Sequence, residues 1–599
     1  MKEKKKNVFW FIIDSVRTFR TGVDDRDRID IMDQFAKDSI EFTNCYTSAP
    51  SSLLAAGAMF SGLPSTFVAR HFNDWKFKDN NLSTIKTLVQ EHGYTSIPLI
   101  DGRSGREKYQ NLIPPFPSSY LPKGKHLHDY AWTNKEVTEI FEHIISNKKF
   151  EDPFAFVFWY DCRRDSNTSK HVAKAINLIK EHGYYNDSII IMNSDHGYPD
   201  PRTKLNEGFF KELGHDMVLT EDNIKTPLIL KYPGSPQNVE LNNVVGHIDI
   251  IPTIYDLLKI KLDKNKDNNY FRGKSLLSII NEKEGDDKRV IRTDTRLQMD
   301  NGRITSFRSS QYKYIYFHDD NHELLFDLLK DPMELTNLLP DKPNNHSKVL
   351  KSFIALKLKY EEELFNFHKS ELIQNADNSF KNLKLRYKGN QITILVITVA
   401  PDNLIEMLSN YLKKTFETDN IILIKTKKEK EFKKVKENIY HTKELSEDNI
   451  RETGLSNLDI IIYLTHNSRR VFLKDNIVKS IKKIKAKEKL LLNYNFELFE
   501  YFSYKSFFTY FKLFFNWEIK GYFYKQEPIY FFKDLYFYIK HTFTILSREK
   551  QRQNNDLMSA REIYAYRSHQ LKSEKAEQNQ LSNNQLDYEV KRIEEWGDE

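Results

Sequence analysis

Five apolar runs of strand length, VFWFIID, TSIPLID, FAFVFWYD, SIIIMNSD and TPLILKYPG, punctuate the first 235 residues and constrain the fold more than any other feature. Between them SLLAAGAMFSG, LSTIKTLVQEHG and SKHVAKAINLIKEHG carry helical spacing, and the last two close on a glycine of the C-cap kind. Strands alternating with helices predict an α/β domain with parallel strands and crossover helices. Four of the five runs end in Asp and the fifth at a Gly turn, which puts carboxylates at the edge where open α/β sheets bind ligands.

The pattern changes along the chain. From about Arg289 to Leu339 short strands and turns predict a small antiparallel sheet, and Lys351 to Phe367 reads as a helix leading into a linker. ITILVITVAPDN, NIILIKT, LDIIIYLTHN and KLLLNYNFE then restart the strand signal, predicting a smaller Rossmann-like α/β domain without a G-x-G-x-x-G. The expected division is therefore 1–370, 388–500 and a helical region with a polar tail over 501–599. Residues 500–545, dense in Phe, Tyr and Lys, read either as a helical cover on the second domain or as a peripheral membrane contact. Only Cys45 and Cys162 are present, which excludes a disulfide framework and fits a reducing, cytoplasmic setting. A formal charge of +7 over 599 residues, with no reading motif beside it, does not point to nucleic acid.

Three segments carry chemistry. Asp14 follows a buried strand and offers an oxygen to a hard divalent cation. Ser51 and Ser52 stand at the start of an apolar helix, where the dipole and a nearby metal would favour an ionised hydroxyl; the plain alternative is an N-cap. Asp195 and His196 sit together at the tip of SIIIMNSDHG, a mixed oxygen and nitrogen donor pair.

With those residues in view, the chain resembles the sulfatase-type branch of the alkaline-phosphatase superfamily over about residues 7–365. NVFWFIIDSVR, FTNCYTSAPSSLLAAGAMFSGLPS, LVQEHGYTSI, INLIKEHGYYNDSIIIMNSDHG, GHDMVLTEDNIKTPLILKYPG, GHIDIIPTIYDLLKI, FRGKSLL and YKYIY through LLFDLLKDPMELTNL occur in the family's order. The resemblance implies one divalent ion (Mn, Zn, Mg or Ca) on Asp14, Ser52, Asp195 and His196, with Ser52 as nucleophile and Ser51 as the one-residue alternative. It implies a role at the ester for His215 and, from its place after the G-Y-x-T strand, for Arg103. His247 and Asp249 match a fold-shaping segment, and Asp161 is the one candidate ligand for a second metal.

Formylglycine-forming sulfatases carry Pro and Arg downstream of the nucleophile where this chain has Leu54 and Ala56. That departure, with His196 in place of an amide, predicts an unmodified serine acting on phosphate esters or phosphodiesters, and the second domain with its aromatic, basic neighbour suggests a glycan- or lipid-linked substrate. The alternatives are a sulfuric ester hydrolase and a non-catalytic binding protein.

Overall fold

In the computed structural model the described residues are 5–22, 25–68, 91–100, 117–123, 133–147, 150, 152–162, 165–200, 215, 218–260, 271–282, 289–295, 304–318, 322–339, 347–398, 402–426, 432–436, 438–442, 447–453, 458–465, 480–481, 483–493, 496 and 498–500. They fall into two compact units, one built on Met1–Ala355 and one on Leu356–Asn554. Arg103, most of LSTIKTLVQEHG and all of 501–599 lie outside the described residues.

The first unit is layered around a mixed sheet. Its elements are β1 (Asn7–Asp14), α1 (Asp30–Ala36), β2 (Ile40–Tyr46), α2 (Ser52–Ser61), β3 (Thr95–Leu99), α3 (Asn134–Asn147), β4 (Phe154–Asp161), α4 (Thr168–Glu181), β5 (Ser188–Ser194), β6 (Lys225–Lys231), β7 (Val239–Leu241), β8 (Val245–Gly246) and α5 (Ile250–Leu257). The strand order is β3-β4-β1-β5-β6-β2-β7, with β8 also on β2. Strands β3, β4, β1 and β5 are parallel, as expected. The TPLILKYPG strand, β6, is not: it runs antiparallel to both β5 and β2. The Gly197 N–H donates to the Asn223 carbonyl at 2.9 Å, so the chain re-enters the sheet at the edge where β5 left it, and β6 must run back. Strand β2, which contains FTNCY, is not among the strands the sequence pattern predicts.

Alternation along β1 explains its burial on both faces. Phe9 and Phe11 stack on Phe156 and Phe158 of β4, with centroids 5.7 and 4.4 Å apart. Phe141 of α3 meets Phe158 edge-on at 4.9 Å. Trp10 faces the other way, against Phe60 of α2, and donates its indole N–H to Asn193 Oδ1 at 2.7 Å. Each such ring buried contributes about 1.5–3 kcal/mol. Helix α4 buries Val172, Ala175, Ile176 and Ile179, the i, i+3, i+4, i+7 stripe its sequence announces.

Strands β9 (Ile291–Asp294), β10 (Ile304–Arg308), β11 (Tyr312–Phe317) and β12 (His322–Asp327) form the expected antiparallel sheet. It joins the main sheet through buried charge. Glu221, in the turn before β6, receives Tyr46, Arg308 and Lys313, and Lys313 also pairs with Glu334 at 2.7 Å. Those cations hold the Glu221 carboxyl down at about 2 against the cost of its burial. The FRGKSLL motif docks at the end of α2, where Arg272 and Gly273 donate to the Gly62 carbonyl; a Cβ on Gly273 would lie 1.8 Å from the Ile248 carbonyl oxygen.

Helix α6 (Ser347–Arg386) does not pass into a linker after Phe367. Leu372, Ala376, Phe380 and Leu383 continue helical spacing and are buried in the core of the second unit. That unit holds β13 (Ile394–Thr398), α7 (Asp402–Phe416), β14 (Ile421–Thr426), β15 (Lys433–Lys436), β16 (Ile439–Thr442), β17 (Ile460–Thr465), β18 (Glu488–Asn493) and β19 (Leu498–Glu500). The order β16-β14-β13-β17-β18 is parallel throughout, with β15 and β19 antiparallel at the edges, the doubly wound Rossmann-like arrangement expected. Among the described residues no helix is long and apolar enough to cross a membrane.

Candidate metal and ester site

Parallel pairing sets the site. In the ladder Ile13 lies opposite Ser194 and Asp14 opposite Asp161, so β1, β4 and β5 deliver their acidic ends to one edge. Ser15 then turns the chain with φ +62°, a left-handed conformation that carries strain for a residue with a side chain. Its N–H donates to Asp195 Oδ1 at 2.9 Å and its hydroxyl to Asp14 Oδ1 at 2.6 Å. The Ser194 hydroxyl lies 2.7 Å from the Ile13 carbonyl and 2.6 Å from that of His196, and accepts the Val16 N–H at 2.9 Å. Strand tips that would otherwise fray are thereby locked side by side.

Asp14, Asp195 and His196 are buried and offer ligand atoms that all lie within 4.8 Å of one another. Among the described residues this is the one grouping of three or more His, Cys, Asp or Glu of that kind, and Asp161 is not in it. The His196 Nδ1–H donates to the Gly197 carbonyl at 2.7 Å, which leaves Nε2 with its lone pair, 3.4 Å from Asp195 Oδ2. Burial, and next the charge of Asp14, push the Asp195 carboxyl up to about 6. Among the described residues Asp195 Oδ2 finds no hydrogen-bond donor within bonding distance. Two buried carboxylates facing one imidazole lone pair, with an acceptor oxygen unsatisfied, form a donor set that fits a divalent cation.

Ser52 opens α2 and reaches the same place. Its Oγ lies 3.3 Å from Asp14 Oδ2 and 3.2 Å from His196 Nε2. Ser51, at the N-cap position with φ −130°, makes no side-chain cap, and its buried hydroxyl has no hydrogen-bond partner among the described residues. Of the two serines, only Ser52 hydrogen-bonds the acidic cluster. Leu54 and Ala56 leave the helix regular from Ser52 to Ser61, ending at Gly62 with φ +67°. His215 stacks on His196 with centroids 4.9 Å apart and planes at 20°, and on Tyr198 at 5.3 Å. The structure thus brings together Asp14, Ser52, Asp195, His196 and His215.

His247 and Asp249 hold the fold, as expected. The His247 Nε2 meets the Thr226 hydroxyl at 2.9 Å, and burial pushes its pKa down to about 3. Asp249 accepts the Gly246 and Lys274 N–H groups and pairs with Arg289. Sequence reasoning missed two contributors. Trp159 aims its indole N–H at Asp14 Oδ2 at 3.4 Å, and the Cys162 thiol donates to the Asp14 carbonyl. Gly197, the turn residue that follows the Asp-His tip, does more than turn: a Cβ there would lie 2.3 Å from the Asp222 carbonyl oxygen, so the tip of β5 packs directly on the turn before β6. Its neighbour in the D-H-G sequence was a visible signal.

A family profile described as N-sulphoglucosamine sulphohydrolase, C-terminal, matches residues 211–360. Arylsulfatase K of Bos taurus is 28% identical over 237 residues, 37% of this chain and 42% of the relative. The choline-sulfatase of Rhizobium meliloti (strain 1021) is 28% identical over 173 residues, 29% of this chain and 31% of the relative. The chain therefore matches less than half the length of either relative. A solved structure in complex with its substrate D-glucosamine-2-N,6-O-disulfate is similar with a TM-score of 0.48 at 14% identity, covering 61% of this chain and 99% of that one. Both relatives are named as sulfatases.

Proposed function

The chain belongs to the sulfatase and alkaline-phosphatase-like superfamily, and from that premise we propose that it is a hydrolase of sulfate esters with Ser52 as its nucleophile. One observation carries the reading: the Ser52 hydroxyl, at the first turn of a buried helix, lies within 3.3 Å of both an Asp14 oxygen and His196 Nε2.

Asp14, Asp195 and His196 would hold a divalent cation, which when bound would lower the pKa of the serine hydroxyl and neutralise charge on the transferring group. The chain's own groups do the rest. Asp14 Oδ2 is the base within reach of the Ser52 proton, since the His196 Nε2 lone pair, 3.2 Å from the hydroxyl, would be taken up by the cation. Ser52 Oγ attacks sulfur, the S–O bond to the alcohol breaks, and water then cleaves the serine sulfate to inorganic sulfate. The positive end of α2 favours the anionic group beside Ser52. The stacked His215 is placed at the same site to meet the ester or its leaving oxygen.

A second reading, phosphate monoester or diester cleavage, is favoured by Leu54 and Ala56, which occupy the places of the Pro and Arg that formylglycine formation uses. The test is turnover of aryl sulfate, aryl phosphate and aryl phosphodiester by the full chain with Mn, Zn, Mg or Ca, alongside Ser52→Ala. Preference for the sulfate, lost in Ser52→Ala, is expected. Preference for a phosphate ester selects the second reading, and full activity in Ser52→Ala refutes the nucleophile. An intact mass lower by about two hydrogens would show that the serine is converted before use, an outcome set by how the nucleophile is activated.

A further inference from the structure

Asn223 is fully buried and hydrogen-bonds the backbone at or beside both histidines of the stacked pair. Its carbonyl accepts the Gly197 N–H at 2.9 Å, beside His196. Its Nδ2 donates to the His215 carbonyl at 2.6 Å and to the Val218 carbonyl at 2.7 Å. Both side-chain partners are acceptors, so the amide must present nitrogen to them, and Oδ1 is left buried without a partner among the described residues. The fit is close: a Cβ on Gly197 would stand 3.2 Å from the Asn223 Cα. The side chain thus spends both of its N–H groups on the segment that carries His215, while its backbone holds the segment that carries His196.

We propose that Asn223 is a positioning residue that sets His215 face to face with His196, acting through both and touching neither the ester nor the cation. The role in turnover rests on the hydrolase reading above; the geometric role does not. Asn223→Asp is nearly isosteric but would set carboxylate oxygen against two carbonyl oxygens now 2.6 and 2.7 Å away. Asn223→Ala removes both donors without adding charge and serves if the aspartate variant does not fold.

The experiment uses the full chain labelled with 13C at histidine Cε1. The His215 signal is identified by its loss in His215→Gln, and its position reports the ring currents of His196 and Tyr198. In Asn223→Asp or Asn223→Ala it should move towards that of an unstacked imidazole. On the preferred ester, kcat should fall about 10- to 100-fold with KM within about twofold, the pattern of misplaced rather than missing chemistry. An unmoved His215 signal in a folded variant overturns the proposal, and so does a raised KM with unchanged kcat. An inactive wild type would sink the hydrolase reading alone, since the histidine signal still decides whether Asn223 holds the pair.

Discussion

Replacing Glu221 with Gln removes the one carboxylate that Arg308, Lys313 and Tyr46 share, in the turn that feeds the site. Glu221 is held at about 2 in the folded chain against an ordinary value of 4.5. A difference of that size corresponds to about 3 kcal/mol, at 1.36 kcal/mol per unit. The figure agrees with the roughly 3–5 kcal/mol that breaking a buried ion pair costs, because Arg308 and Lys313 would stay buried with less compensating charge. For a unit built on 355 residues the unfolding entropy is about 0.7 kcal/mol/K at roughly 2.1 cal/mol/K per residue, so Glu221→Gln should melt about 4 °C lower at pH 7. The folded pKa is depressed, so this stabilisation is present above about 4.5 and is lost as pH falls towards about 2. Calorimetric melts of both proteins from pH 7 down to pH 2 should show the gap closing over that window. Equal melting temperatures at pH 7, or a gap that does not change with pH, would refute the account of the cluster.

Gly197→Ala should lower turnover about 100-fold while the protein stays folded, since its Cβ would stand 2.3 Å from the Asp222 oxygen and must displace the tip that carries His196; steady-state kinetics and a melt check this. A divalent cation at 100 times its dissociation constant should stabilise the wild type by about 2.7 kcal/mol, and His196→Gln should lose most of that gain, as melts with and without chelator will show. Phe11→Ala removes a ring stacked at 4.4 Å on Phe158 and should cost about 3–5 kcal/mol, read from denaturant unfolding followed by fluorescence.

Much of this architecture is legible in the chain itself. Apolar runs of five to eight residues must be buried, and those interrupted at helical spacing can only bury one face, so the strand and helix positions of β1, β4, β5 and α4 follow from residue pattern. Asp14, Ser52, Asp195 and His196 were recognisable because strand ends and a helix start in a known order carry them. Periodicity is silent on direction, however, and β6 reads as well parallel as antiparallel; only the hydrogen bond from Gly197 to Asn223 decides that the chain turns back. The same holds for Leu372, Ala376, Phe380 and Leu383, whose spacing says helix but whose destination in the second core depends on what folds against them. The choice of Ser52 over Ser51 is likewise tertiary, because neighbouring helix-start residues point about 100° apart and only one can face Asp14. Local pattern determined which groups stand at which edges. Packing across the sheet decided which of them meet, because a distance of 3 Å between residues 144 or 180 positions apart is set by strand register and has no trace in either segment alone.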